Sequence, residues 1–256
     1  MKNKNIPCFS ILLFTSLLFS SCIQQLILRS MGVFENAVPL KYITNGDKKL
    51  IFFPIHHVGK KEFYSDVKNK IDSLRLQGFE VYYELVQLGN IRDSLQRDTI
   101  YLKARKITGI DFATANQNKG YIDTINNTIL GEKNKFILKY NLVNQTRDII
   151  PTFDSLRVKN VDGNFVNLLQ ATEDKFGKIT LEKYDFETKF GEKYKVKENK
   201  EMKKFFVEEY RNDLITKSIL NDKHNKIILV YGKAHFKGFL KNLKLADPNF
   251  KEVDKF

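Results

Sequence analysis

Apolar positions between residues 48 and 85 follow two different periods. The run KKLIFFPI, residues 48–55, is almost continuously apolar after a turn signal, which predicts a buried strand. One face of an amphipathic helix follows, marked by four apolar residues at steps of four, four and three: Phe63, Val67, Ile71 and Leu74. Gly78 closes this helix, and FEVYYEL, residues 79–85, predicts a second strand. Strand, helix and strand joined by short links predict neighbouring parallel strands with a right-handed crossover.

The last part of the chain repeats this layout without repeating its residues. KKFFVEEYRNDLITKSIL, residues 203–220, predicts a long helix packed on a core. KIILVY, residues 226–231, predicts a strand, and FKGFLKNL, residues 236–243, predicts a further helix. Alternating helices and strands indicate the α/β class. We predict a single layered domain with a mixed, partly parallel central sheet flanked by helices.

Patterns in the middle of the chain are weaker. Residues 91–106 predict a helix, residues 109–122 a short strand followed by a loop, and KFILKYNL, residues 135–142, a strand. Between residues 173 and 204, 18 of 32 residues are Asp, Glu or Lys, with aromatic and apolar residues between them. This mixture predicts a solvated excursion with a thin apolar side rather than disorder.

The first 22 residues have the layout of a bacterial export signal. MKNKN is a basic region, IPCFSILLFTSLLF is apolar, and LFSSC resembles a lipobox, although Phe19 stands where a smaller aliphatic residue is commoner. We predict a signal peptide over residues 1–21, a tether lipid-anchored through Cys22 over residues 22–44, and an α/β domain over residues 45–256. The protein would then be a membrane-anchored lipoprotein of the bacterial cell envelope. An ordinary cleaved signal that contains a cysteine is the alternative.

Charge and cysteine content narrow the classes of function. Loss of Lys2 and Lys4 with the signal lowers the formal charge of +13 by two, to +11, which suits anionic lipid. Lysines are spread along the chain and no helix carries a basic stripe interleaved with aromatics, so we expect no nucleic-acid partner. Without Cys8, the chain has Cys22 alone, which excludes an internal disulfide and a Cys-His hydrolase.

Polar side chains follow three of the predicted strands. His56 and His57 follow the first strand, Glu84 the second, and the Gly-Lys-Ala-His turn ending at His235 follows KIILVY. Parallel strands bring such ends to one edge of a sheet, where two imidazoles and a carboxylate suit a divalent metal and hydrolysis. Neighbours on an extended segment face opposite sides, so His56 is expected to point away from His57. The alternative for each histidine is a hydrogen-bonded edge residue, and His224 is expected to be solvated surface.

These residues stand in motifs that resemble the TraB/TIKI (GumN-like) superfamily, which is distantly similar to ChaN and erythromycin-esterase-type proteins. The motifs are IHHVG..EFY..V...I..L...G.EVYYEL and YGKAHFKGFLKNL. The second Gly-x-x-His motif is intact from Gly232 to His235 and is followed by the expected Gly238. In the first motif, Pro54 occupies the place of glycine three residues before His57.

The resemblance implies a metal-dependent hydrolase of the peptidase kind, with a divalent ion of the manganese, cobalt or zinc type and a peptide or protein substrate. His57, Glu84 and His235 would be metal ligands, with Glu84 alternatively the general base. Arg211 would stabilise an oxyanion or hold Glu84.

Supporting positions and alternatives complete the sequence-based prediction. Asn212 and Gly232 would support the site. For Arg211, the alternative is an arginine on the surface of its helix that pairs with a nearby glutamate. The segment LRVKNVDGNF is only faintly similar to a further motif, so Asp162 is not included in the predicted site. Two other functions remain open. One is a ChaN-like lipoprotein that binds haem or iron without turnover, and the other is a degenerate adaptor, which Pro54 in place of the motif glycine would indicate.

Overall fold

The computed structural model describes residues 25–117, 120–123, 125–129, 132–145, 149, 157–195, 197 and 199–256. The strands are β1 Lys41–Thr44, β2 Lys49–Ile55, β3 Val58–Lys60, β4 Glu80–Tyr83, β5 Ile122–Asp123, β6 Thr128–Ile129, β7 Glu132–Lys133, β8 Leu142–Asn144, β9 Val158–Asn160, β10 Lys226–Gly232 and β11 Lys251–Val253. The helices are α1 (described over residues 25–30), α2 Lys61–Leu76, α3 Ser94–Thr108, α4 Phe112–Gln117, α5 Phe136–Tyr140, α6 Phe165–Phe176, α7 Lys183–Glu187, α8 Lys200–Lys204, α9 Tyr210–Leu220 and α10 His235–Ala246. A π-helical turn, Phe205–Glu209, joins α8 to α9.

Six strands form the central sheet in the order β11-β1-β2-β10-β4-β9. The four strands β2, β10, β4 and β9 are parallel, whereas β1 runs antiparallel to both of its neighbours. The predicted α/β class with a mixed, partly parallel sheet is therefore confirmed. The prediction that β2 and β4 are neighbours is wrong, because β10 lies between them and pairs with both.

The two faces of the sheet carry separate apolar cores. Alternate residues of β10 point to opposite faces, so Ile228 and Val230 pack with α2 while Leu229 and Tyr231 pack with α9 and α10. The predicted helical face of α2 is the buried one, and Gly78 lies just after its end with a left-handed φ of 85°. A strand that is buried on both faces requires the continuous apolar run that KIILVY provides.

Pro54 lies within β2, which is central in the sheet. The carbonyl of Ile55 accepts a hydrogen bond from the N–H of Lys233, so the backbone of Ile55 faces β10 and that of Pro54 faces the β1 side. Because β1 pairs only with residues Lys49 to Phe52, the missing N–H of Pro54 removes no bond between these strands.

Three further sequence-based predictions differ from the structure. Residues 136–140 form helix α5 rather than a strand, with Asn141 in the left-handed region closing it, because a short apolar run alone does not distinguish the two states. Residues 112–117 are also helical, begun by Asp111, whose carboxylate accepts the Thr114 N–H. Residues 41–44, inside the predicted tether, form β1, so the sheet begins before the predicted boundary at residue 45.

A second helical layer lies beyond the carboxyl ends of β4 and β9, where both strands lead into helices. Its core joins α3, α4 and α6. The charge-rich excursion packs on it through buried Arg105, whose guanidinium donates to the carbonyls of Asp185 (2.9 Å) and Thr188 (2.7 Å) at the end of α7.

Candidate active site at the carboxyl edge of the sheet

Glu84 and Gly232 meet because their strands are neighbours. Glu84 directly follows β4, and Gly232 is the last residue of β10. The N–H of Gly232 donates to Glu84 Oε2 at 2.5 Å. A Cβ at position 232 would lie 3.1 Å from the same oxygen, so glycine at this position allows the carboxylate to approach the backbone closely.

Arg211 is buried beside Glu84 rather than exposed on its helix. Its Nη2 donates to Glu84 Oε1 at 2.5 Å and to Asp162 Oδ2 at 2.7 Å, while its Nε donates to Asp162 Oδ1 at 2.8 Å. Nη1 donates to the carbonyl of Val207 at 3.1 Å. Four of the five N–H groups of the guanidinium are thus engaged, which leaves little for an oxyanion. Arg211 holds two carboxylates in place.

Opposite charges determine the protonation of Glu84. Burial raises the pKa of its carboxyl, but the charge of Arg211, with smaller contributions from the imidazoles of His235 and His57 and from the hydrogen bond of Gly232, holds that pKa at about 2. Burial also disfavours the charge on Arg211, but the adjacent carboxylates of Glu84 and Asp162 raise its pKa. Both groups are therefore charged at neutral pH.

His235 is the first residue of α10 and presents its Nε2 to the same carboxylate. Nδ1 lies 2.8 Å from Asn212 Oδ1, and this acceptor places the proton on Nδ1 and leaves the lone pair on Nε2. Nε2 is 4.0 Å from Glu84 Oε1. Burial lowers the pKa of His235 to about 4, against the raising effect of Glu84, so the ring is neutral at pH 7.

Gly238 allows α9 and α10 to come close enough for this contact. A Cβ at position 238 would lie 2.3 Å from Asn212 Nδ2. Asn212 is buried and makes its contact to His235 across the two helices. The glycine three residues after His235 therefore has a packing role that fixes the orientation of the imidazole.

His57 lies at the exposed rim of this cluster. Its Nδ1 is 3.2 Å from Gln145 Oε1, its ring centroid is 5.0 Å from that of Tyr121, and its charge lowers the pKa of Glu84 and of His235. His56 points the other way and is buried against Phe63, with ring centroids 4.2 Å apart. The adjacent histidines thus differ in environment, because His56 is buried and His57 is exposed.

Asp162 and Tyr121 are the site residues that sequence reasoning did not include. The side chain of Asp162 is fully buried and follows β9 by two residues, the same strand-end placement as Glu84. Recognising residues 158–160 as a strand would have revealed it. Tyr121 lies at the same cluster with its ring against His57, and burial and the charge of Glu84 raise its pKa. No pattern in the sequence marks Tyr121.

The donor set is chemically suited to a divalent ion. An ionised carboxylate and a neutral imidazole face each other, and the second nitrogen of that imidazole is fixed by Asn212, as in many metal-ligating histidines. His57 would be the third donor. Within the described residues, no three His, Cys, Asp or Glu side chains already surround one position for an ion.

Comparison with known proteins gives no relative: no family model, curated protein or solved structure matches the chain. Over the residues with a described structure, no helix is long and apolar enough to cross a bilayer. The predicted signal peptide and Cys22 lie outside those residues. The family resemblance thus depends on the sequence motifs alone.

Proposed function

We propose that this protein is a lipid-anchored envelope hydrolase that uses a divalent metal held by His57, Glu84 and His235. One arrangement supports the proposal: the neutral Nε2 of His235 lies 4.0 Å from the ionised Glu84 Oε1, and buried partners fix both side chains. The resemblance to metal-dependent proteases gives the substrate class, which is a peptide or protein.

The charge state of Glu84 favours one of its two predicted roles. A general base works best with a pKa near the working pH, and the pKa of Glu84 is about 2. The carboxylate is therefore better suited to holding a cation than to accepting a proton. A bound divalent ion would supply Lewis-acid polarisation of the scissile carbonyl and a water of lowered pKa.

The surrounding residues keep the two donors ready. Arg211 keeps Glu84 ionised and directs Oε1, and Asp162 balances the charge of the guanidinium from its other side. Asn212 fixes the tautomer of His235. The exposed side of the cluster, at His57, is where a substrate would enter.

Equilibrium dialysis with Mn²⁺, Co²⁺ and Zn²⁺ tests the metal site. We expect His235→Ala, and the less disruptive His57→Ala at an exposed position, to weaken binding by at least about tenfold, as loss of a ligand should. His224→Ala is the matched control, because His224 precedes β10 at the opposite end of the strand and should leave binding unchanged. Equal affinity in all variants would refute the site.

Cleavage assays separate the hydrolase from the two alternatives. Metal-stimulated cleavage of an unstructured protein such as casein, lost in His57→Ala, is the expected result. A Soret shift on addition of haem without any cleavage would instead favour a ChaN-like binding protein. Absence of metal binding, haem binding and cleavage would favour an adaptor.

A further inference from the structure

Two helices beside the candidate site expose apolar side chains to solvent. They are α1 and α5, and the residues in question are Leu26 (63% exposed), Ile27 (52%), Met31 (50%), which follows α1, and Leu138 (67%). Isolated exposed apolar residues are ordinary on protein surfaces, but a concentration of them on adjoining elements indicates an interaction site.

The helices α1 and α5 adjoin each other. Gln25 Nε2 donates to the hydroxyl of Tyr140 at 2.9 Å, and the rings of Phe34 and Tyr140 have centroids 4.3 Å apart. Leu28 and Ile137, from the inner sides of the two helices, belong to one small apolar core. The inner sides are thus occupied, and the exposed residues lie on the outer sides.

Basic residues accompany the exposed apolar residues. The segments QLILRSM, residues 25–31, and KFILKYN, residues 135–141, contain Arg29, Lys135 and Lys139, all exposed, and no acidic residue. The chain as a whole mixes both signs, with 30 acidic residues against 43 basic ones. Helices with apolar and basic side chains facing outward are typical of segments that lie in the interface of an anionic bilayer.

We propose that this apolar-basic face, formed by Leu26, Ile27, Met31, Leu138 and the three basic residues, lies on the surface of an anionic bilayer. The apolar side chains enter the headgroup region, and the cations contact lipid phosphates. The inference rests on the proposed envelope location, because Cys22, the predicted acylation position, is close in sequence to Gln25. A lipid anchor there would hold this same face at the membrane.

Membrane contact on this face would orient the candidate site. Lys233, in the turn that presents His235, donates through Nζ to the carbonyl of Ser30 at 3.1 Å. Tyr121, which contacts His57, packs on the same small core as α1 and α5. The exposed rim of the site would therefore open close to the bilayer, which favours polypeptides attached to or emerging from the membrane as substrates.

Vesicle sedimentation with the processed chain carrying Cys22→Ser tests the face without the anchor. We expect binding to phosphatidylcholine vesicles containing about 30% phosphatidylglycerol, and binding at least about tenfold weaker to pure phosphatidylcholine. The triple variant Leu26→Ser, Ile27→Ser, Met31→Ser should lose at least about tenfold in partitioning. A matched triple variant at other exposed leucines, Leu76→Ser, Leu95→Ser, Leu245→Ser, should partition like the parent.

Three results would overturn the proposal. The parent could fail to bind anionic vesicles, or the two triple variants could lose binding equally. Alternatively, sedimentation equilibrium could show a dimer that only the first triple variant dissociates, which would make the face an interface between copies. Circular dichroism confirms that each variant is folded. Metal dialysis, which needs no membrane, tests the proposed hydrolase separately, so failure of either proposal is recognisable on its own.

Discussion

At the scale of single residues, Arg211 and Asn212 connect helix α9 to both donors of the candidate site. Arg211 contacts Glu84 and Asp162, whereas Asn212 contacts His235. The side chains of Glu84 and Asp162 are 9% and 0% exposed, so each would be costly to bury as a charge without the guanidinium. Both buried carboxylates therefore depend on one buried cation.

Replacement of Arg211 should strongly destabilise the fold. Arg211→Met leaves two buried carboxylates unpaired and should lower the free energy of unfolding by roughly 3–5 kcal/mol in urea titrations. Adding Asp162→Asn should restore part of this loss, because one uncompensated charge is removed. Arg97→Met, at a side chain that is 44% exposed, is the control and should change the free energy by less than about 0.5 kcal/mol. A loss below about 1 kcal/mol in Arg211→Met would contradict this account.

At the scale of elements, the distance between α9 and α10 is set by Gly238. Gly238→Ala would put a Cβ 2.3 Å from Asn212 Nδ2, so we expect a loss of roughly 1–3 kcal/mol in stability from overpacking. The same substitution in an Asn212→Ala background should cost much less, because the atom it meets is gone. A double-mutant cycle of thermal unfolding measures this coupling, and additive effects would exclude the contact.

Elements with long, clear periods could be predicted from the sequence. The strands β2, β4 and β10 and the helices α2, α9 and α10 were found, and so were the strand ends that bring Glu84 to Gly232. Residues 136–140 were not, because their apolar run is as short as a strand. Asp162 was missed because β9 has only three residues and none of them is fully buried, which leaves no apolar pattern to detect.

At the scale of the whole molecule, the two ends of the parallel strands carry different polar clusters. In the loop before the amino end of β10, Asp222 accepts hydrogen bonds from Tyr82 of β4 and from Lys159 of β9 (2.6 Å) and contacts His224. Lys48 donates to the carbonyls of Asp222 (2.6 Å) and His224. This second cluster joins strands and the loop before β10, and it contains none of the predicted metal ligands.

The amino-end cluster should give the fold a measurable acid dependence. Burial alone would raise the pKa of Asp222. The hydrogen bonds from Lys159, Tyr82 and His224 lower this pKa by more, so that it lies below the ordinary value of 3.8. A carboxyl whose pKa is lowered on folding stabilises the fold at pH values above its ordinary pKa. This contribution is lost as the pH falls below that ordinary pKa. Asp222→Asn should therefore cost roughly 1.5–3 kcal/mol at pH 7 and flatten the loss of stability below about pH 4.

Unfolding curves between pH 7 and pH 2 measure this effect. Asp47→Asn, at an exposed turn residue, is the matched control and should follow the parent curve. An Asp222→Asn curve parallel to that of the parent would show that the carboxylate does not titrate differently in the folded state. Metal dialysis of this variant should be unchanged, because the cluster lies at the end of the sheet away from Glu84.

The position of β10 has a consequence for how the chain assembles. This strand lies between β2 and β4 but is separated from them by about 140 residues or more of sequence. During synthesis, β2 and β4 therefore have open edges until the last strand of the parallel set emerges, and such edges favour aggregation. Chaperone protection during this interval would be needed, and a chain truncated before β10 should accumulate as insoluble protein rather than as a smaller folded unit.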